Sequence, residues 1–310
     1  MPVLGITGAT GFIGQFVTRR LVEQGHYQIR ALTRSIGNVD LIKGVSWLQG
    51  DLGSPADCEA FVRGLDGVLH FAHASTPLSS NRDWSSDAQL NVISTLNLLQ
   101  ALRKQDRRID FVYPSSGGAV YGTGTGRPFT ENDPCMPVSP YGIVKLTMES
   151  YLRLAAEQGW LNAVVLRIAN PYGVILPPER MQGIIGVSMH QIRRGQTVPI
   201  YGNTGNVRDY IHLNDVADCI VLCLRPRGAF EVYNVGSGQG TSIQDLLGLL
   251  QQVAGKTRVE AELRAIEGAD RLASWTVLDV SKAERQLGWR PRISLLEGLE
   301  RQYREMGGAD

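Results

Sequence analysis

The sequence predicts an α/β fold: a doubly wound parallel sheet with a smaller C-terminal part. Two observations predict the sheet. Strand-like and helix-like signals alternate as far as Ile168, and such alternation places helices on both faces of a parallel sheet. A glycine-rich turn, Thr7-Gly8-Ala9-Thr10-Gly11-Phe12-Ile13-Gly14, joins the first apolar run to the first helix. A third observation predicts the smaller part. Beyond Tyr172 the chain becomes marked by proline and glycine, at Pro177-Pro178 and again between Gly202 and Gly205.

In order, strands are expected near 3–7, 28–32, 45–48, 67–71, 109–113 and 163–168. Helices are expected near 12–24, 55–63, 88–104 and 141–158. The last of these has the clearest start, because Ser139-Pro140 precedes it and proline is favoured in a first helical turn. Further on, residues 217–224 read as an apolar helix.

Composition narrows the possibilities. The 310 residues are 43% hydrophobic and 20% charged, which suits one large or two small globular domains. There is no apolar run of about 18 residues and no charged-then-apolar leader, so a cytoplasmic protein is expected. A net charge of +1, with no strong lysine/arginine block, argues against nucleic acid or an anionic membrane as partner. Cys58, Cys135, Cys219 and Cys223 have no metal-ligand spacing, and no metal is expected. Cys219 and Cys223 lie four apart in the apolar helix and read as core residues. His70 and His73, three apart at a strand end, read as core or cofactor-facing residues rather than ligands.

The glycine turn is suited to a pyrophosphate. A strand that turns sharply into a helix presents free backbone N–H groups and a positive dipole end. Gly8 permits the turn, Gly11 lets an anion approach the backbone, and Gly14 lets the helix pack close to the sheet. A dinucleotide site also needs a ribose-binding residue about 20 positions on. A carboxylate there would favour NAD, but the second strand ends in Thr33-Arg34-Ser35. Arg34 can pair with the 2′-phosphate of NADP, or stack on adenine, or face solvent. Asp51, in Gly50-Asp51-Leu52, can reach the adenine amine or cap its own loop.

Tyr141 and Lys145 stand at i and i+4 of the expected 141–158 helix, so they share a face. The ammonium favours the phenolate and lowers a pKa that is otherwise about 10, which makes Tyr141 a candidate general base. The strand near 109–113 empties into Ser115-Ser116-Gly117-Gly118-Ala119-Val120-Tyr121-Gly122. A hydroxyl there can orient a substrate hydroxyl beside Tyr141.

With these residues in place the chain resembles the extended short-chain dehydrogenase/reductases of the nucleotide-sugar epimerase and dehydratase type, and among them the UDP-glucose 4-epimerases. The resemblance rests on the glycine turn, Gly50-Asp51-Leu52, His70-Phe71-Ala72, the serine loop and the Tyr141/Lys145 pair. It continues through Leu166-Arg167-Ile168-Ala169-Asn170-Pro171-Tyr172-Gly173, Val207-Arg208-Asp209-Tyr210-Ile211-His212, Tyr233-Asn234-Val235-Gly236 and Leu287-Gly288-Trp289. It implies a Rossmann-type dinucleotide-binding domain at 1–172, rejoined near 207–236, and a sugar-nucleotide-binding domain at 173–310. It implies catalysis by Tyr141, Lys145 and Ser116 or Ser115. Gly8, Thr10, Gly11, Phe12, Ile13, Gly14, Thr33, Arg34, Asp51, Leu52, Phe71, Ala72 and His73 would line the cofactor with Tyr141 and Lys145. Asn170, Arg208 and Arg271 would bind the sugar nucleotide with Ser116 and Tyr141. On the residues alone, Asn170 can instead be a turn residue before Pro171, and Arg208 can pair with Asp209 or Asp215.

Three departures qualify what the resemblance implies. Thr33 stands where the family has its NAD-binding carboxylate, which leaves NAD and NADP both open. Gly117 stands at the position of the family's catalytic Ser or Thr, with Ser116 and Ser115 just before it. Asp270-Arg271-Leu272 meets the family's C-terminal Arg and Asp with an offset of one residue. The Asp-Glu pair of the 4,6-dehydratases is replaced by Gly118-Ala119. The expected activity is therefore C4 epimerisation of a UDP-hexose, by a homodimer. The alternatives are an NADP(H)-dependent 4-ketoreductase of a nucleotide deoxysugar, or a cofactor-binding regulatory or scaffold protein that has lost its chemistry.

Overall fold

The computed structural model describes residues 1–37, 41–76, 79–124, 126–176, 183–225, 228–255, 259–264 and 274–307. Its first elements are β1 (Val3–Thr7), α1 (Phe12–Gln24), β2 (Gln28–Thr33), β3 (Val45–Gln49), α2 (Pro55–Val62), β4 (Gly67–His70) and α3 (Trp84–Ala88). A π-helical turn, Gln89–Ile93, leads into α4 (Ser94–Arg103), followed by β5 (Ile109–Ser116), α5 (Gly117–Val120), α6 (Pro140–Glu157) and β6 (Leu161–Ile168). The chain continues through β7 (Asn170–Tyr172), α7 (Gly183–Arg193), β8 (Val198–Tyr201), β9 (Val207–His212), α8 (Leu213–Cys223), β10 (Phe230–Val235) and β11 (Gly240–Ser242). It ends with α9 (Ile243–Val253), β12 (Ala261–Arg264), β13 (Trp275–Thr276), α10 (Ser281–Leu287) and α11 (Leu295–Gly307).

Two compact units result. The first comprises Met1–Ser116, Ser139–Arg167 and Cys219–Tyr233. Its sheet has the strand order β10-β6-β5-β4-β1-β2-β3, and β1 to β5 pair in parallel. This is the doubly wound Rossmann-type arrangement expected from the sequence, with the order reversing beside β1. The core packs Phe61, Leu98, Leu102, Phe111, Met148 and Leu152, each essentially inaccessible to solvent. Each such side chain stabilises the unit by about 1.5–3 kcal/mol relative to exposure. Local signals agree with this packing. Ser54 and Ser139 cap α2 and α6 through their side chains, each with proline in the first turn.

The helix expected near 88–104 begins earlier and is interrupted. Asp83 accepts a hydrogen bond from Ser86 N at 3.0 Å and starts α3 at Trp84. That first turn is polar and carries no apolar period to announce it. The π turn follows, with the buried side chains of Asp87 and Asn91 bonded to each other across its start, an irregularity invisible to a 3.6-residue pattern.

The second unit comprises Gly117–Val138, Ile168–Asp218 and Asn234–Asp310. Here β9 is central, flanked by β11 and β13 and paired in parallel with β7. A separate pair joins β12 to β8. Tyr172, Met189, Tyr210, Leu246 and Leu299 form its core. Within the stretch 207–236, β10 lies in the large sheet, whereas Val207–His212 builds the small one. Its apolar pattern is equally compatible with either sheet. Among the described residues no helix is long and apolar enough to cross a membrane.

Candidate active site

The glycine turn forms a tight cradle between β1 and α1. Gly8 has φ of +69°, a region open to glycine, and a Cβ there would lie 2.5 Å from Ala72 N. A Cβ at Gly14 would collide with the carbonyl of Gly8, so α1 packs hard against the turn. A Cβ at Gly11 would meet only Gly8 O, at 3.1 Å. Gly11 is the N-cap of α1 and supplies no side-chain cap, so the first N–H groups of the helix are not capped by it. A cradle kept clear of side chains at a helix N-terminus fits a dinucleotide pyrophosphate. Thr10, Phe12 and Ile13 complete the turn, and Phe71 and Ala72 follow β4 beside it, with Phe71 N bonded to Thr7 O at 2.9 Å.

Residues placed to read the adenosine end are partly committed. The Thr33 hydroxyl donates to Ser35 O at 3.1 Å and accepts from Ser35 N at 3.4 Å, closing a turn. Arg34 is exposed, and only its carbonyl is held, by Gln49 at 3.3 Å. Asp51 spends Oδ1 on Gly53 N at 2.7 Å, the loop-capping arrangement. Leu52 packs against the core, and its carbonyl accepts from Asn97 at 3.0 Å.

The proton-handling residues meet at the C-terminal end of β5. The Ser116 hydroxyl acts on the Tyr141 phenol, and both residues keep some surface exposed. Burial pushes the phenol up to about 12, opposed by the Ser116 hydroxyl and reinforced by the charge of Asp87, so the lowering expected from Lys145 is overturned: burial outweighs it. Lys145, one turn along α6, is 6% exposed. Its Nζ donates to Pro114 O at 2.9 Å and lies 5.6 Å from the Tyr141 ring centroid. Burial brings the ammonium down to about 7, against the opposing pull of Glu149 and Asp87. Gly117 begins the short helix α5 and is buried.

His73 meets the Tyr141 ring edge-on at 5.0 Å between centroids and bonds Ser75 at 3.1 Å. Burial and Lys145 hold its pKa well below the ordinary value. His70 is a core residue, with Nδ1 2.7 Å from Thr7 Oγ1 and Nε2 2.9 Å from Thr95 Oγ1.

Sequence reasoning missed the layer beneath this pair. Glu149 receives Arg167 Nη2 at 2.7 Å and Nε at 3.1 Å, and also the Ser115 hydroxyl. The available signal was Glu149 at i+4 from Lys145, an acid on the buried face of an amphipathic helix.

In the second unit, Asn170 and Arg208 lie on the paired strands β7 and β9. Asn170 Nδ2 donates to Asp209 O at 2.9 Å, so it is a strand residue and not a turn. Arg208 is half-buried and donates to Val207 O at 2.9 Å. Burial lowers its pKa. The two acids that could have paired with it are otherwise engaged: Asp209 by Ser237, Gly238 and Leu278, and Asp215 by Ile293 N. Asp209 is itself pushed up to about 6 by burial, against those same bonds. Arg271 lies outside the described residues.

Comparisons with known proteins identify the family and the fold. The model of the NAD dependent epimerase/dehydratase family matches residues 4–236. A UDP-glucose 4-epimerase of Mycolicibacterium smegmatis is 31% identical over 95% of this chain and 95% of its own. A dTDP-4-dehydro-6-deoxyglucose reductase of Escherichia coli is 27% identical over 96% and 95%. The solved structure of a Thermus thermophilus UDP-glucose 4-epimerase in complex with NAD superposes with a TM-score of 0.89, at 28% identity, over 99% of this chain and 100% of that one. With a matching family model, shared fold and full-length similarity, this chain belongs to the NAD dependent epimerase/dehydratase family.

Proposed function

We propose that this chain is a nucleotide-sugar epimerase that inverts C4 of a UDP-hexose through a 4-keto sugar. The observation that carries the reading is Lys145, buried one turn along α6 from Tyr141 with its Nζ 5.6 Å from the Tyr141 ring centroid, at the end of the strand that carries Ser116. A bound nicotinamide would supply the acceptor, and then the donor, of the C4 hydride. The remaining steps fall to the chain. Tyr141 removes the proton of the C4 hydroxyl and later returns it. Ser116 orients that hydroxyl, and Lys145, with Nζ 5.6 Å from the Tyr141 ring centroid, is the cation beside the phenol as its proton leaves. Asn170 and Arg208 hold the diphosphate, the guanidinium by forking onto phosphate oxygens, so that the keto sugar turns without leaving. Gly118-Ala119 places no acid beside the serine loop, which argues against elimination of water.

Denaturing the purified protein, identifying the released dinucleotide and screening UDP-sugars for 4-epimers tests this reading. A protein that interconverts no such pair is not this epimerase. One observation favours a second reading, an NADP(H)-dependent 4-ketoreductase: no carboxylate stands at the end of β2, and Arg34 is exposed there. Dinucleotide consumed in stoichiometric amount with a keto sugar would select it.

A homodimer accompanies either reading. Ile143, Tyr151 and Leu154 expose apolar surface along α6, as do Leu90 and Ile93 on the π turn packed against it. An apolar face of this kind is covered in a self-complementary interface.

A further inference from the structure

One acid beside the candidate active site has no part in the reaction just proposed. Asp87 lies in the first turn of α3, which packs on α6, and is 4% exposed. Its Oδ1 accepts from Asn91 Nδ2 at 2.8 Å. Among the described residues its buried Oδ2 has no hydrogen-bond partner, a costly state for a carboxylate oxygen. The line continues from Asn91. Its Oδ1 accepts from Ala74 N at 2.7 Å, and its Nδ2 lies 3.3 Å from Ser75 Oγ. Ser75 Oγ in turn lies 3.1 Å from His73 Nε2, and the His73 ring stands against Tyr141. A connected line of polar contacts therefore runs from a buried acid to the ring of the candidate base.

The charges around it assign the acid a role. Glu149 is closed by Arg167 and Ser115. Lys145 has a neutral carbonyl for its hydrogen bond, and the Tyr113 and Tyr141 rings at 4.9 and 5.6 Å. His70 and His73 are held uncharged by burial, and Tyr113 is held protonated by burial. Among the described residues here, Asp87 is the acid without an ion pair and Lys145 the cation without one. We propose that Asp87 is a positioning residue for the Tyr141/Lys145 pair: through Asn91, Ser75 and His73 it fixes the phenol ring, and its charge adds to that of Glu149 around Lys145. The proposal rests on Tyr141 being the base, and goes beyond it in naming what sets the working pH.

The sign is definite. The charge of Asp87 raises both the Tyr141 phenol and the Lys145 ammonium, opposing burial in the lysine and adding to it in the tyrosine. Removing it lowers both. Asp87→Asn preserves shape and can still accept from Asn91. Its pH–rate profile should move to lower pH on both limbs together, by roughly one unit. Asp87→Glu should keep the wild-type profile whatever its rate, and His73→Leu should lower kcat without moving the profile. Asp87→Ser replaces the amide variant if that does not fold. A readout independent of turnover is tyrosinate absorbance in dinucleotide-saturated protein, each form measured against its own Tyr141→Phe blank. Tyr141 should titrate roughly one unit lower in Asp87→Asn. An unmoved titration overturns the proposal and leaves Asp87 a packing residue. If no UDP-sugar is turned over by the wild type, the epimerase reading fails while the absorbance titration still decides the role of Asp87.

Discussion

Ser115 and Ser116 share a peptide bond and direct their hydroxyls to different partners. Ser115 is buried and donates to Glu149, whereas Ser116 is partly exposed and its hydroxyl acts on the Tyr141 phenol. Alternation along a strand produces this split, because successive side chains of β5 leave opposite faces. Ser116→Ala should therefore lower kcat roughly 10–1000-fold, as loss of one positioned hydrogen bond does, with little change in melting temperature. Ser115→Ala should do the reverse, costing about 1–3 kcal/mol of stability by leaving a charged group short of a donor. Steady-state kinetics and thermal unfolding of the two variants separate the roles. Equal activity in both would remove Ser116 from the reaction.

Tyr141→Phe should abolish nearly all turnover while retaining dinucleotide binding. The ring and its contact with His73 persist, and only the hydroxyl is lost. Isothermal titration with the dinucleotide, set beside an epimerisation assay, checks both halves.

Arg208→Ala should raise KM for a UDP-sugar far more than it lowers dinucleotide affinity. The guanidinium is half-buried beside acids already engaged elsewhere, so an anion is its natural partner. Arg208→Lys should recover little, since a point charge lacks the planar fork. Unchanged KM in both variants would put the diphosphate elsewhere.

The cofactor prediction starts at the end of β2. Thr33 has its hydroxyl engaged in a turn with Ser35, so it neither receives both ribose hydroxyls nor repels a 2′-phosphate. A charge-assisted contact from Arg34 is worth on the order of 1.5–3 kcal/mol, or roughly a 10–150-fold preference. Stripped protein should bind NADP at least as tightly as NAD, and Thr33→Asp should reverse the order. Dissociation constants for both dinucleotides decide it. Negligible NADP binding by the wild type would mean that Arg34 faces away.

Lys145 also leaves a mark on stability. An unfolded lysine titrates near 10.4, whereas burial brings Lys145 down to about 7 in the fold. Between these values the unfolded chain holds the extra proton, so stability rises with pH. The penalty is fully present below about pH 7. Lys145→Met should remove this rise, seen as a flatter melting temperature against pH in dinucleotide-free protein.

Much of this site was legible before any coordinates. Tyr141 and Lys145 share a face by helical spacing alone, and Gly8 and Gly14 stand where a strand-to-helix turn needs them. What stayed hidden depends on side-chain direction or helix irregularity. Nothing in Ser115-Ser116 says which hydroxyl meets Tyr141 until the face of β5 is known. Glu149 and Arg167 find each other only after α6 and β6 pack. Asn91 sits in the helix expected at 88–104 but Asp87 lies just before it, and apolar periodicity has no reading for a π turn.

That π turn, Gln89–Ile93, is one residue longer than a regular helix would allow. Each residue of an α-helix advances about 100° around the axis, at 3.6 per turn. Deleting a single residue from the segment would return it to ordinary α-helical spacing, because five residues of the wide turn subtend about the same angle as four in an α-helix. Asp83 to Ala88 would keep much the same facing. The extra residue is therefore absorbed where it stands, and what depends on that count is the spacing from Asp87 to Asn91 and the hydrogen bond between them.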